Sequence, residues 1–140
     1  MARKLTFSGR IRSFKYAFRG LGVMLVSQKN AWIHLTATVV VCIVSALLGI
    51  KAQEWCWIVL AITGVWTAER LNTALEFLTD IASPEFHPLA EKAKDVAAGA
   101  VLITAIGAVA IGAIVLGPYM QRLALSLLPT KSFSKWYESN

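Results

Sequence analysis

The stretch AWIHLTATVVVCIVSALLGI, residues 31–50, contains no Asp, Glu, Lys or Arg. Its length matches the roughly 20 residues that an α-helix needs to cross a hydrocarbon core about 30 Å thick. Residues 96–116, VAAGAVLITAIGAVAIGAIVL, form a second uncharged stretch, whose Ala and Gly residues would let neighbouring helices approach closely. Both stretches therefore predict transmembrane helices.

A third apolar stretch, residues 55–68, lies between them and is too short to cross a bilayer alone. A third transmembrane helix must therefore continue into AERLNTALEFLTD, residues 68–80, which carries three carboxylates and one Arg. The sequence predicts an all-α membrane protein with three transmembrane helices, at about residues 31–50, 55–80 and 95–116.

The composition also indicates a membrane protein. Apolar residues make up 56% of the 140 residues and charged residues 16%, against about 45–50% and about 25% in an ordinary soluble domain. A chain of this length holds one domain, so we expect the membrane-embedded part itself to carry the function.

We expect no cleaved signal peptide, since residues 1–30 lack an apolar run. Cys42 and Cys56 lack metal-ligand spacing and are interpreted as packing residues.

The basic residues are concentrated at the N-terminus. Residues 1–30 contain seven of the fourteen basic residues and none of the eight acidic ones, so the positive-inside rule predicts a cytoplasmic N-terminus. Apolar residues recur there at helical spacing and predict an amphipathic helix on the membrane surface, although a basic flank that only fixes topology would carry the same charge: Ile11, Phe14, Phe18, Leu21 and Leu25. No recognition motif for nucleic acid accompanies them, so we expect no nucleic-acid partner.

The polar residues of the 55–80 helix would lie on one face. Because each helical residue turns about 100°, five polar side chains fall within roughly a 100° arc: Glu69, Asn72, Thr73, Glu76 and Asp80. A charge at the centre of a bilayer costs about 3 kcal/mol, which calls for a partner or a function. The stripe is compatible with an interfacial helix end, with a proton or ion pathway, or with carboxylates that bind a divalent cation and substrate phosphates.

The segment after this stripe is polar as well. Ser83 and Pro84 predict a helix start, with Ser83 as the cap and Pro84 at the first helical position. Lys94, at the start of the last span, would supply the cation that a polyphosphate needs. Six of the eight acidic residues lie between Glu69 and Asp95, which indicates a positively charged partner.

Two motifs in this region resemble a known family. The strings E-x-x-N-T-A-x-E-x-x-x-D (residues 69–80) and H-x-x-x-x-x-A-K-D (residues 87–95), followed by an Ala/Gly-rich span, are similar to the small prokaryotic diacylglycerol kinases, which include undecaprenol kinases. The resemblance covers about residues 10–117. It implies a homotrimer in the bacterial inner membrane, with three spans and an N-terminal surface helix in each subunit, and with sites shared between subunits.

The resemblance also implies an activity and a role for each motif residue. The activity is transfer of the γ-phosphoryl group of MgATP to a membrane lipid alcohol, either diacylglycerol or undecaprenol. Glu69 would be the general base, Asn72 would organise it, and Glu76 would hold the metal. Asp80 would support the site without reacting. The expected nucleotide contacts are Tyr16, Glu76, Glu85, Phe86, His87, Lys94 and Asp95, although His87 could instead pair with Glu91 at a helix start.

Gln28 departs from the family pattern. A Glu commonly occupies the corresponding place, ahead of the N-x-x-I-H pattern seen here as Asn30, Ile33 and His34, and shares the metal with the carboxylate at Glu76. Gln28 offers a carbonyl oxygen without charge, so we expect weaker metal binding. This departure leaves a second interpretation open, in which the protein is a family member that binds nucleotide or lipid but does not catalyse the transfer. Residues 117–140 form a C-terminal extension beyond the resemblance, whose LALSLLP and SFSKWY segments could be surface-seeking.

Overall fold

The computed structural model describes the backbone of residues 7–127 and the side chains of residues 11–127. This part of the chain consists of four α-helices in the order α1 (Phe7–Ser27), α2 (Lys29–Leu48), α3 (Ala52–Ala82) and α4 (Pro88–Leu127). The all-α prediction is confirmed for these residues. The SFSKWY segment of the C-terminal extension lies outside them.

A single residue separates α1 from α2. Gln28 takes an extended backbone conformation with φ −114° and ψ 118°, and its N–H donates to the Met24 carbonyl at 2.9 Å. Met24 is buried, whereas Phe14 and Phe18 of α1 are exposed. An exposed apolar face suits a helix that lies on a membrane surface, and this position of α1 stays a prediction.

The turn between α2 and α3 requires a glycine. Gly49 has φ 62°, in the left-handed region that residues with a Cβ rarely adopt. The Gly49 N–H donates to the Ala46 carbonyl at 3.2 Å and the Ile50 N–H to the Ser45 carbonyl at 3.3 Å, which ends α2. Lys51 follows, and its N–H donates to the Glu54 carboxylate at 2.7 Å in the first turn of α3.

Helices α3 and α4 form the main hairpin of the fold. Its apolar core lies at the end away from their connection, where Ile50, Ile58 and Val115 are buried. At this end the Tyr119 hydroxyl donates to Oε2 of Glu54 at 2.6 Å. The polar stripe of α3 lies towards the opposite end, near the connection.

Two helices, α2 and α4, are long and apolar enough to cross a bilayer. Large apolar side chains along α4 have no protein cover; Ile103 is 72% exposed and Ile114 is 75% exposed. Side chains of this kind suit contact with lipid, as expected for an all-α membrane protein. The third span, in α3, stays a prediction.

The predicted helix start at Ser83 and Pro84 is wrong. Ser83 terminates α3, where its N–H donates to the Thr79 carbonyl at 2.8 Å, and α4 begins at Pro88 rather than Pro84. Both prolines suit a first helical position, but His87 precedes Pro88, and its Nδ1 accepts the Leu89 N–H at 3.2 Å. Because Ser83 ends α3, the next helix starts at the later proline.

Helix α4 continues past residue 116, where the predicted span ends. The helix runs through Pro118 to Leu127, so it includes the first part of the C-terminal extension. Proline removes only one backbone hydrogen bond, and transmembrane helices tolerate this loss. Its 40 residues give α4 a length of about 60 Å at about 1.5 Å per residue.

Candidate active site

The polar stripe of α3 is graded from buried to exposed. Glu69, Asn72 and Thr73 are buried, Glu76 is half-buried, and Asp80, nearest the end of the helix, is exposed. The predicted helical periodicity explains this arrangement, because these residues share one face.

Glu69 is a buried carboxylate with few polar partners. It is 1% exposed, and its Oε1 has no hydrogen-bond partner among the described residues. Its Oε2 lies 3.9 Å from Nε2 of His34 on α2, which is too long for a hydrogen bond but within ion-pair range for a protonated imidazole. A buried carboxylate with a free oxygen is costly, so it calls for a functional explanation.

Glu76 joins α3 to the start of α2. Its Oε1 accepts a hydrogen bond from Nδ2 of Asn72 at 2.8 Å, and its Oε2 accepts one from Nε2 of Gln28. Oδ1 of Asn72 is buried and has no partner among the described residues. The structure therefore brings together Gln28, Asn72 and Glu76, all of which the sequence predicted as site residues.

The residue types at Glu76 fit a magnesium ion. Mg²⁺ binds oxygen and usually takes one or two carboxylates together with substrate phosphates. Glu76 supplies the carboxylate, and a half-turn of the Gln28 amide would present its oxygen in place of its nitrogen. No group of three or more His, Cys, Asp or Glu residues at metal-binding distance occurs among residues 11–127, so most of the remaining ligands would come from phosphate and water.

A cleft of about 300 Å³ opens at the connection between α3 and α4. Nζ of Lys94 forms an ion pair with Oδ1 of Asp80 across this cleft. Four of the predicted nucleotide contacts line it, namely Glu85, Phe86, His87 and Lys94. The His87–Glu91 alternative is not among the ion pairs of the described residues.

The other two predicted nucleotide contacts outside α3 do not line this cleft. The Asp95 side chain is exposed and makes no hydrogen bond or ion pair with the described part of the chain. Tyr16 lines a different cleft, between α1 and α3, together with Arg19 and Arg70. One chain alone therefore does not gather the complete predicted nucleotide site.

Sequence reasoning gave no role in the site to two residues near the stripe. His34 faces Glu69, and Arg70 donates from a guanidinium nitrogen to the Ala17 carbonyl of α1 at 3.1 Å. An ionisable residue within an apolar helix usually faces a partner inside the protein. Applied to His34, that rule would have paired it with an acid of the polar stripe.

Comparison with known proteins agrees with the two sequence motifs. Residues 15–116 match the family model described as prokaryotic diacylglycerol kinase. An undecaprenol kinase from Bacillus subtilis is 37% identical over 107 residues, which cover 76% of this chain and 87% of that protein. A diacylglycerol kinase from Synechocystis sp. is 40% identical over 107 residues, which cover 76% of this chain and 61% of that protein.

A diacylglycerol kinase from Escherichia coli is 28% identical over 110 residues, which cover 78% of this chain and 90% of that protein. The family match spans α2, α3 and the part of α4 that carries Lys94, and thus the whole polar stripe. The resemblance seen in the two motifs is confirmed. The chain belongs to the prokaryotic diacylglycerol kinase family of lipid kinases.

Proposed function

We propose that this protein transfers the γ-phosphoryl group of ATP to the hydroxyl of a membrane lipid alcohol, either diacylglycerol or undecaprenol. The reaction would serve phospholipid turnover or recycling of a cell-wall lipid carrier. The observation that carries the proposal is the buried Glu69, whose free oxygen lies on the same helix face as the Asn72–Glu76 pair. The names of the relatives agree with a lipid alcohol as the acceptor.

In the proposed reaction, Glu69 takes the proton of the lipid hydroxyl as the oxygen attacks the γ-phosphorus. The bond between the γ-phosphorus and the bridging oxygen breaks, and ADP leaves with that oxygen. A general base within reach of the attacking hydroxyl typically contributes about 10²–10⁴-fold. His34 would stabilise the charged form of Glu69, since its imidazole is the nearest potential cation on α2.

Phosphoryl transfer otherwise asks a protein to hold its substrates and neutralise charge. Glu76 and Gln28 would hold a Mg²⁺ ion, which when bound would neutralise negative charge on the phosphates. Lys94 would leave Asp80 and bind a phosphate oxygen, while Phe86 and His87 contact the nucleotide from the same cleft. Asp80 would thus support the site without taking part in the reaction.

We further propose a homotrimer in the bacterial inner membrane, with three spans per subunit and a cytoplasmic N-terminus. The exposed apolar faces of the helices and the small residues of α4 support close association within a bilayer. The separation of Tyr16 from the Lys94 cleft supports sites shared between subunits.

A lipid panel tests the activity and its acceptor. The purified protein is incubated in mixed micelles with labelled ATP and Mg²⁺, and with either diacylglycerol or undecaprenol at equal mole fraction. We expect labelled phosphate in one extracted lipid well above the other. No label in either lipid, with the protein shown to be folded, would contradict the proposal.

Gln28 favours a second candidate, a catalytically weak or inactive relative that binds nucleotide or lipid. At this site an amide contacts Glu76 where a second carboxylate would strengthen metal binding. Retained binding of Mg-nucleotide without transfer to either lipid would identify this case.

A further inference from the structure

A second cleft, of about 410 Å³, lies between α1 and α3, and it is separate from the one that contains Lys94. Arg19 of α1 and Arg70 of α3 both line it, beside apolar residues that include Val23 and Phe77. No Asp or Glu of the described residues is among those that line it. Two guanidinium groups therefore face a space without a countercharge.

The position of Arg70 is set by α1. One guanidinium nitrogen donates to the Ala17 carbonyl at 3.1 Å and lies 3.4 Å from the point where a Cβ on Gly20 would stand. An Arg has five N–H donors, and neither Arg19 nor Arg70 forms an ion pair with a carboxylate of residues 11–127. Donors therefore remain at this cleft for a ligand.

Arg70 also lines an apolar trough of about 390 Å³, bounded by α1, α2 and α3. Leu21, Leu25, Leu35 and Trp66 are the apolar residues that line it. A cationic junction beside an apolar trough is complementary to a molecule with an anionic head and a hydrocarbon chain.

We propose that Arg19 and Arg70 bind the phosphodiester headgroup of an anionic phospholipid, whose acyl chain lies in the trough beside Leu25 and Trp66. Arg is suited to phosphate because its planar fork forms paired, charge-assisted hydrogen bonds. Basic pockets between helices at a membrane surface bind such headgroups. The lipid alcohols named above carry no charge and would leave both guanidinium groups unpaired.

Arg70 already ties the backbone of α1 to α3 through Ala17. A headgroup held by Arg19 and Arg70 adds a second tie between the same helices. The lipid would therefore act as a structural ligand that fixes α1 on the rest of the protein.

Spin-labelled lipids test the site on the full-length protein. The protein is reconstituted in phosphatidylcholine, and the fractions of spin-labelled phosphatidylglycerol and phosphatidylcholine immobilised by it are compared by electron paramagnetic resonance. We expect a several-fold preference for phosphatidylglycerol. The preference should fall towards parity in the Arg19→Gln/Arg70→Gln variant and weaken with salt, since part of the attraction is screened.

Two further variants separate the site from general surface charge and from misfolding. Arg12→Gln/Lys15→Gln removes the same charge from the exposed part of α1 and should keep the preference. Arg19→Gln alone breaks no hydrogen bond between described residues and should lower the preference even if the double variant unfolds.

Three results would overturn the proposal. The first is an unchanged preference in both Arg variants. The second is an equal loss in the Arg12/Lys15 control, which would indicate only surface charge. The third is a loss of nucleotide affinity in the Arg19 variant without change in lipid preference, which would assign the cleft to nucleotide.

Discussion

The Gln28 side chain, at the single residue between α1 and α2, donates a hydrogen bond to the Glu76 carboxylate on α3. Residues 48 positions apart in the sequence thus meet at the stripe, and the same carboxylate also accepts from Asn72. The residue that follows α1 therefore contacts the proposed metal site directly.

We expect Gln28→Glu to lower the Mg²⁺ concentration needed for half-maximal activity. The substitution adds one ligand charge beside Glu76, and a hard cation gains from a second carboxylate. Binding of Mn²⁺ in place of Mg²⁺, followed by paramagnetic resonance, measures affinity without turnover. Unchanged or weakened binding would show that residue 28 is not at the metal.

Glu69→Gln should remove most of the turnover, by about 10²–10⁴-fold, because the amide cannot take the proton of the lipid hydroxyl. Nucleotide affinity should hardly change, since the buried side chain is not part of the Lys94 cleft. Glu54→Gln, at the other end of α3, is the matched control and should keep its turnover. More than half of the wild-type activity in the Glu69 variant at saturating substrate would exclude this residue as the base.

Asp80→Asn should tighten nucleotide binding several-fold, because Lys94 would no longer have to leave an ion pair to reach a phosphate. Lys94→Gln should weaken the same binding. Both are measured by calorimetric titration with a non-hydrolysable nucleotide. The control is Glu91→Gln, which removes an equal charge from the same cleft without breaking an ion pair between described residues. An equally large gain in nucleotide affinity in Glu91→Gln would show that the effect comes from overall charge.

Shared sites predict which pairs of inactive subunits complement each other. Tyr16 and Lys94 line different clefts of one chain, so Tyr16→Ala and Lys94→Gln subunits that assemble together should regain part of the activity at low ATP. Glu69→Gln and Glu76→Gln should not complement, because Glu69 and Glu76 share one face of α3. Proven co-assembly without recovery in the first pair would indicate self-contained subunits.

Tyr119→Phe should lower the thermal stability of the α3–α4 hairpin in detergent. The hydrogen bond from Tyr119, followed by that from the Lys51 N–H, lowers the pKa of Glu54 below its ordinary value of 4.5. A lowered pKa contributes stability that is fully present above the ordinary value and is lost as the pH falls through the folded-state value. The difference in thermal stability between wild type and Tyr119→Phe should therefore shrink below pH 4.5. A difference that stays constant with pH would exclude the ionised Glu54 as its source.

The periodicity of the polar residues was enough to predict the stripe of α3, because helical spacing alone determines which residues share a face. The contact between Gln28 and Glu76 followed from the family resemblance rather than from spacing, since no local rule connects two helices across 48 residues. Ser83 was misread because a Ser-Pro pair is a strong local helix-start signal. Whether it starts a helix depends on where α3 ends, and α3 runs to Ala82.

Arg70 shows a different limit. In the sequence it reads as a charge at a helix end that reaches for water, and its contact with Ala17 appears only when α1 is placed against α3. Helix α4 likewise continues through Pro118 beyond the last uncharged run, and there its Tyr119 donates a hydrogen bond to Glu54.

The burial of Glu69 also bears on wasteful nucleotide turnover. In the proposed reaction, water and a lipid alcohol compete for the same phosphoryl group, and water is far more abundant outside the bilayer. Glu69 is shielded from bulk water, so in the proposed reaction it would favour an acceptor that reaches it from the membrane. The burial of Glu69 on α3 would thus favour phosphoryl transfer to lipid over hydrolysis of ATP, without detailed recognition of the acceptor.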